Sequence, residues 1–195
     1  MLGDAAATVV AGGTLVFPTD TVYGIGASAG RLDAVARIFE LKHRPRSKPL
    51  ALHLGSLDEA LAYAAGNPLA VRVMRALLPG PVTIVVARPA AIDPLVTGGS
   101  ATVGVRVPAH PLCAALCARC GPLAATSANE SGRPSFKGDG PLAGLPAADL
   151  AILDGPTPLR GESTVIDVTG KQIRLIREGM VPVARLEEQF GAVVR

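Results

Sequence analysis

Two hydrophobic periods alternate along the chain. Short runs rich in β-branched residues at 14–17, 50–54, 82–87, 102–107, 150–153, 164–168 and 173–176 predict strands. The Ala/Leu-rich stretches between them predict helices over 4–11, 31–42, 57–64, 68–78, 110–119 and 182–190. In the second of these, Leu32, Val35, Ala36, Ile38 and Phe39 fall on one helical face, and Arg31, Arg37, Glu40 and Lys42 take the wet one. Interleaved strands and helices predict an α/β fold, a twisted sheet flanked by helices. The early crossovers are long enough for parallel pairing, whereas 164–168 and 173–176 are close enough for a hairpin. The sheet is therefore expected to be mixed. Pro/Gly clusters at 79–81, 94–99, 132–146 and 155–161 predict loops. None is biased enough to be a linker, so one domain over residues 1–195 is expected.

Composition narrows the class. An apolar fraction of 49% with 18% charged residues excludes a disordered chain. Gly 22 and Pro 17 without a three-residue period exclude collagen. The longest uncharged stretch, residues 5–19, is broken by Gly12-Gly13 and Pro18, and falls short of the ~20 apolar residues of a membrane span. No membrane association is expected. The N-terminus lacks a basic n-region and a cleavage site, which predicts a cytoplasmic address. Three cysteines, an odd number, argue against a disulfide framework. A net charge of +3 is mild, so the placement of the cations matters more than their sum.

They gather in Lys42-His43-Arg44-Pro45-Arg46-Ser47-Lys48-Pro49, where two prolines stiffen the chain beyond a helix end. A solvated helix end complementing the macrodipole is one reading, and an anion site for a polyphosphate is the other. In the strand 102–107, Val103, Val105 and Val107 face one way, and Thr102, Gly104 and Arg106 the other. Gly104 leaves a bare floor between a hydroxyl and a guanidinium about 13 Å apart, at ~3.3 Å per residue. Mid-strand glycine costs packing and often marks close approach of a ligand. Thr126-Ser127-Ala128-Asn129-Glu130-Ser131-Gly132-Arg133-Pro134-Ser135 crowds hydroxyls and amides after a short apolar stretch; it reads as an ordinary turn or as a site at a strand's carboxyl end. His110, Cys113, Cys117 and Cys120 make one helical stripe ~15 Å long, too extended to close a tetrahedron around a metal ion. They are expected in the core. No Gly-x-Ser-x-Gly, P-loop or Rossmann glycine fingerprint is present.

Seven segments in order resemble the YrdC-like family. They are Pro18-Thr19-Asp20-Thr21-Val22-Tyr23-Gly24; Lys42-x-Arg44-Pro45 with Lys48-Pro49-Leu50; Pro79-Gly80-Pro81-Val82-Thr83; Val105-Arg106-Val107-Pro108; Ser127-Ala128-Asn129 with Ser131-Gly132-x-Pro134; Ser163-Thr164-Val165-Ile166-Asp167; and Arg177-x-Gly179. The resemblance implies a twisted mixed α/β sheet with a large concave cationic cavity. It implies a nucleotidyltransferase that condenses L-threonine, bicarbonate (or CO₂) and ATP to threonylcarbamoyl-AMP and pyrophosphate. A separate tRNA threonylcarbamoyl transferase would then use the product, with tRNA contact by this chain left open. By resemblance, the threonine pocket comprises Thr21, His53, Arg106, Thr126 and Ser163. Arg44, Lys48, Thr102, Ala128 (through its backbone), Ser135 and Arg177 would bind the nucleotide. Lys42, Arg44, Ser127 and Asn129 would be the catalytic set at the phosphates. Mg²⁺ is implied with ATP, with no protein side chain assigned as its ligand.

Displacement at phosphorus by a threonine N-carboxylate needs positioning and charge neutralisation more than a nucleophilic side chain. Longer members carry a C-terminal domain whose linker helps cover the nucleotide; this chain is expected to be the lone-domain form. The family's tryptophan before Pro-Gly-Pro is replaced by Leu78, a change assigned to packing. Two rivals are an RNA-binding module, disfavoured by 3% aromatics, and an ATP-using paralogue with another acceptor.

Overall fold

Residues 1–194, which the computed structural model describes, form seven α-helices and ten strands. In chain order these are α1 (Leu2–Val10), β1 (Leu15–Phe17), β2 (Gly24–Ser28), α2 (Leu32–Leu41), β3 (Ala51–His53), α3 (Leu57–Ala62), α4 (Pro68–Leu77) and β4 (Val82–Ala87). There follow α5 (Pro94–Thr97), β5 (Thr102–Arg106), α6 (Pro111–Cys120), β6 (Leu123–Ser127), β7 (Leu150–Ala151), β8 (Thr164–Asp167), β9 (Ile173–Arg177), α7 (Val183–Phe190) and β10 (Val193–Val194). Local chemistry sets several boundaries. Asn67 Oδ1 accepts from the Ala70 amide at 3.0 Å with Pro68 in the first turn, and Ser56 Oγ accepts from Glu59 N at 3.2 Å.

The strands join one sheet in the order β10-β9-β8-β4-β5-β3-β6-β2-β1-β7. Pairs β10/β9, β8/β4, β5/β3 and β1/β7 are parallel, and the other five are antiparallel. The mixed α/β sheet and the β8–β9 hairpin expected from the sequence are both present. One early connection differs: β1 returns directly into β2 as an antiparallel neighbour. Strand β2 was not foreseen, because Gly24-Ile25-Gly26-Ala27-Ser28 carries little β-branched signal. Its small residues are demanded by packing, since a Cβ on Gly24 or Gly26 would lie 3.2 or 3.1 Å from the Phe17 ring. The helix α5 and the two-residue strand β10 were also unforeseen. The strand expected at 150–153 pairs only over Leu150–Ala151.

Alternation sorts each strand between two faces. Val16, Ile25, Leu52, Ile84, Val103, Val105, Ala124 and Ile166 enter the main core. Leu15, Phe17, Leu123 and Ala125 point the other way, into a second cluster under α1 and α6 with Cys113, Leu116 and Cys117. Cys113 and Cys117 are core, as expected, whereas Cys120 and His110 at the two ends of the stripe are only half-buried, and Leu78 packs into the main cluster. Beyond the reach of α1 and α6, the second face carries short residues, Ala51, Gly104 and Ala125, and lies open as the floor of a cavity. A Cβ on Gly104 would sit 3.0 Å from Thr83 Cγ2. Among the described residues no helix is long and apolar enough to cross a membrane.

Leu52 is fully buried on the central strand β3, bonded on both sides. Leu52→Ala should cost roughly 2–5 kcal/mol of stability, read as a lower urea midpoint at unchanged slope.

Candidate active site

The cavity holds about 340 Å³, inside the ~300–1,000 Å³ range of small-molecule sites. At its base lies Arg106, the last residue of β5, 4% exposed. Its Nη2 meets Asp20 Oδ1 at 2.5 Å, its Nη1 donates to Thr21 Oγ1 at 2.9 Å, and its Nε donates to the Gly80 carbonyl at 3.1 Å. A guanidinium has five N–H groups, so two remain for a ligand. Burial pushes the Arg106 pKa below the arginine range, and the Asp20 charge opposes that. Asp20 Oδ2 is buried without a protein partner. The Thr19–Val22 turn that carries this carboxylate is locked by Thr19, whose Oγ1 donates to Val22 O at 2.6 Å and accepts from Thr21 N at 3.1 Å.

His53, at the end of β3, lies beside Arg106 on the cavity wall. Its ring meets Phe17 edge-on at 5.9 Å, and Nδ1 lies 4.0 Å from Cys113 Sγ. Burial, helped by the Arg106 charge, drives its pKa from 6.5 down to about 3. The imidazole is neutral at physiological pH. Thr126, on the neighbouring strand β6, also lines the cavity, while Ser163 and Thr83 share a hydrogen bond of 3.0 Å on the other side of β5.

The cationic segment after α2 divides by role. Arg44 lines the cavity and is oriented by its own loop, with Nη2 donating to Pro49 O at 2.8 Å and Nε to Lys48 O at 3.2 Å. Lys42, expected among the phosphate ligands, is buried beside the cavity and is not part of its lining. Its ammonium is buried and donates to the Ser127 and Asn129 carbonyls. Burial, followed by the nearby Arg44, lowers its pKa from 10.5 to about 8. The same residue's carbonyl accepts from Ser131 N at 2.9 Å, so Lys42 holds the turn after β6 from two sides. Within that turn Ser127 Oγ donates to Asn129 Oδ1 at 2.5 Å, and the Asn129 amide donates to the Arg133 carbonyl at 2.6 Å.

The five positions of the threonine set, Thr21, His53, Arg106, Thr126 and Ser163, all line the cavity, as do Arg44, Ser127 and Arg177. The others do not. Asn129 is buried behind Ser127, and the Ala128 amide is taken by the Tyr23 carbonyl at 2.7 Å. Lys48 is exposed on its loop. Thr102 shares the open sheet face but lies at the start of β5, beyond the cavity, bonded to Ser100 Oγ at 2.9 Å. Ser135 donates to Glu162 and borders a neighbouring hollow of about 520 Å³ formed by residues 133–137, 139–141 and 144. Asp20, Thr83 and Glu162 were given no role from the sequence. Asp20 and Arg106 are 86 residues apart, and nothing local to either announces the pair.

Fold and site define an α/β protein in which one sheet face carries a cleft lined by Arg44, Arg106 and Arg177. The chain belongs to the Sua5/YciO/YrdC family, whose family model, described as telomere recombination, matches residues 7–179. It is 36% identical to the threonylcarbamoyl-AMP synthase of Bacillus subtilis, over 98% of this chain and 57% of that protein. It is 37% identical to the threonylcarbamoyl-AMP synthase of Pyrococcus abyssi, over 97% of this chain and 57% of that one. It therefore spans a little over half the length of these relatives. The crystal structure of P. abyssi Sua5 complexed with L-threonine superposes with a TM-score of 0.92 at 36% identity, covering 99% of this chain and 58% of that one.

The His53 pKa predicts an acid limit. Its folded value, about 3, lies below the ordinary 6.5, so the unfolded chain takes up the proton first. Stability is full above pH 6.5 and is lost as pH falls toward 3. Between pH 8 and pH 5 the loss from this group should be about 2 kcal/mol. Urea unfolding at both pH values should show that difference shrinking by the same amount in His53→Gln.

Proposed function

We propose that this chain acts as a threonylcarbamoyl-AMP synthase, condensing L-threonine, bicarbonate or CO₂ and ATP to threonylcarbamoyl-AMP and pyrophosphate. The observation that carries this reading is convergence. Thr21, His53, Arg106, Thr126 and Ser163 open onto one cavity with Arg44, Ser127 and Arg177. The names of the relatives and the L-threonine in P. abyssi Sua5 support it.

The two uncommitted N–H groups of Arg106 suit the threonine carboxylate, and charge-assisted bonds of this kind are strong. His53, neutral, places no second cation beside the threonine amine. That amine adds CO₂ and loses a proton, giving an N-carboxylate. A carboxylate oxygen attacks the α-phosphorus and pyrophosphate leaves. Arg44 and Arg177 offset the phosphate charge, so the displacement rests on position and electrostatics. The Lys42-braced turn presents Ser127 to the same ligand. A nucleotide-borne Mg²⁺ fits this wall: Mg²⁺ favours phosphate oxygens with one or two carboxylates, and Glu162 is the carboxylate of the lining. When bound, the ion supplies further neutralisation of phosphate charge. The product would pass to a tRNA threonylcarbamoyl transferase.

Pyrophosphate release should require ATP, threonine and bicarbonate together, with omission of any one abolishing it. In Arg106→Ala the threonine requirement should rise about tenfold or more, while calorimetric ATP affinity holds within about twofold. Threonine-independent turnover would point to the paralogue with another acceptor. Steeply salt-dependent tRNA binding without pyrophosphate release would point to an RNA-binding module.

A further inference from the structure

Two carboxylates neutralise arginines at this cavity, and they are held very differently. The side chains of Asp20 and Arg106 are each 5% exposed. Removing one partner of such a buried pair strands a charge in a low dielectric. Glu162 and Arg177 are 40% and 47% exposed, and their N–O distance is 2.6 Å. Water and salt screen a pair at that exposure, so separating it costs little.

Glu162 does more than pair with one arginine. Its second carboxylate oxygen accepts from the Ser135 hydroxyl. Its charge also acts on Arg44 and Lys42, favouring their protonated forms against burial. A single carboxylate on the cavity wall thus satisfies the guanidinium and the hydroxyl that the nucleotide reading assigns to ATP. Arg177 is meanwhile aimed by Ser163, whose carbonyl accepts from its Nη2 at 2.8 Å, so the cation stays in place when the carboxylate leaves.

We propose that Glu162 is a displaceable internal counter-ion. It occupies the phosphate site when nucleotide is absent, and it makes that site select polyphosphates that arrive with a divalent cation. This rests on the nucleotide reading above. A metal-free triphosphate must take Arg177 and Ser135 from Glu162 and then lie beside the released negative charge. With Mg²⁺ on the phosphates, the released carboxylate faces a cation and repulsion becomes attraction. The carboxylate therefore screens out free anions at little cost to the metal-bound substrate.

The test is titration calorimetry of ATP into wild type, Glu162→Gln and Glu162→Ala, each with Mg²⁺ and with EDTA. Both variants should bind metal-free ATP about tenfold tighter than wild type, and the preference for Mg²⁺-ATP should shrink by about the same factor. Metal-free binding that is unchanged or weaker in the variants, or an unchanged Mg²⁺ preference, overturns the counter-ion role and leaves the nucleotide reading standing. No ATP binding by wild type under either condition overturns both.

Discussion

A guanidinium taken out of water must be neutralised where it lies, and the site is organised around that requirement at Arg106. Its partners come from two separate places, Asp20 and Thr21 on the β1–β2 turn and Gly80 before β4, and meet it at the end of its own strand β5. Satisfying one buried cation therefore fixes the relative positions of the loops that wall the cavity. The arginine donates in three fixed directions, so its two remaining N–H groups are pre-oriented rather than left to rotate. Thr19 serves the same end by pinning the turn that carries the carboxylate. The orphaned Asp20 Oδ2 marks a polar atom that the fold leaves buried at the cavity's base, where a specific site tolerates what a plain core would not.

The open sheet face is the second constraint. Most of this sheet has large aliphatic residues on one side, where the main core forms. On the other side α1 and α6 cover the β1, β2 and β6 end and reach β3 at His53. The uncovered part is floored by residues with little or no side chain. Gly104 sits where a methyl group would crowd Thr83; Ala51 lies beside it on β3, and Ala125 lies one strand further on β6. A sheet face with short residues and polar walls is poorly suited to a helix and well suited to a ligand.

The positive groups divide by solvation. Lys42, buried, spends its ammonium on two backbone carbonyls and braces the Ser127–Asn129 turn. Arg44 and Arg177 keep access to the cavity and differ in partner: backbone carbonyls of its own loop for Arg44, a carboxylate for Arg177. A lysine concentrates its charge on one atom and suits a carbonyl cage, whereas the planar arginine fork can be oriented by carbonyls and still present N–H groups to an anion.

The strand and helix pattern and the mixed sheet could be read from the chain alone, and the resemblance named five residues that the structure brings to one cavity. Strand alternation placed Gly104 and Arg106 on one face, and ordered motifs carried the rest. The strand at Gly24–Ser28 could not be read, because its glycines answer to the Phe17 ring, a neighbour reached only after folding. Nor could the pairing of Asp20 with Arg106, the burial of Lys42, or the hold of Glu162 on Ser135 and Arg177. Sequence reports which groups can carry charge or follow a period, since these are properties of each residue and its near neighbours. Which charge meets which, and which meets water, depends on strands brought together from distant parts of the chain. Only the tertiary structure decided that Lys42 became a brace and Arg106 the floor of the site.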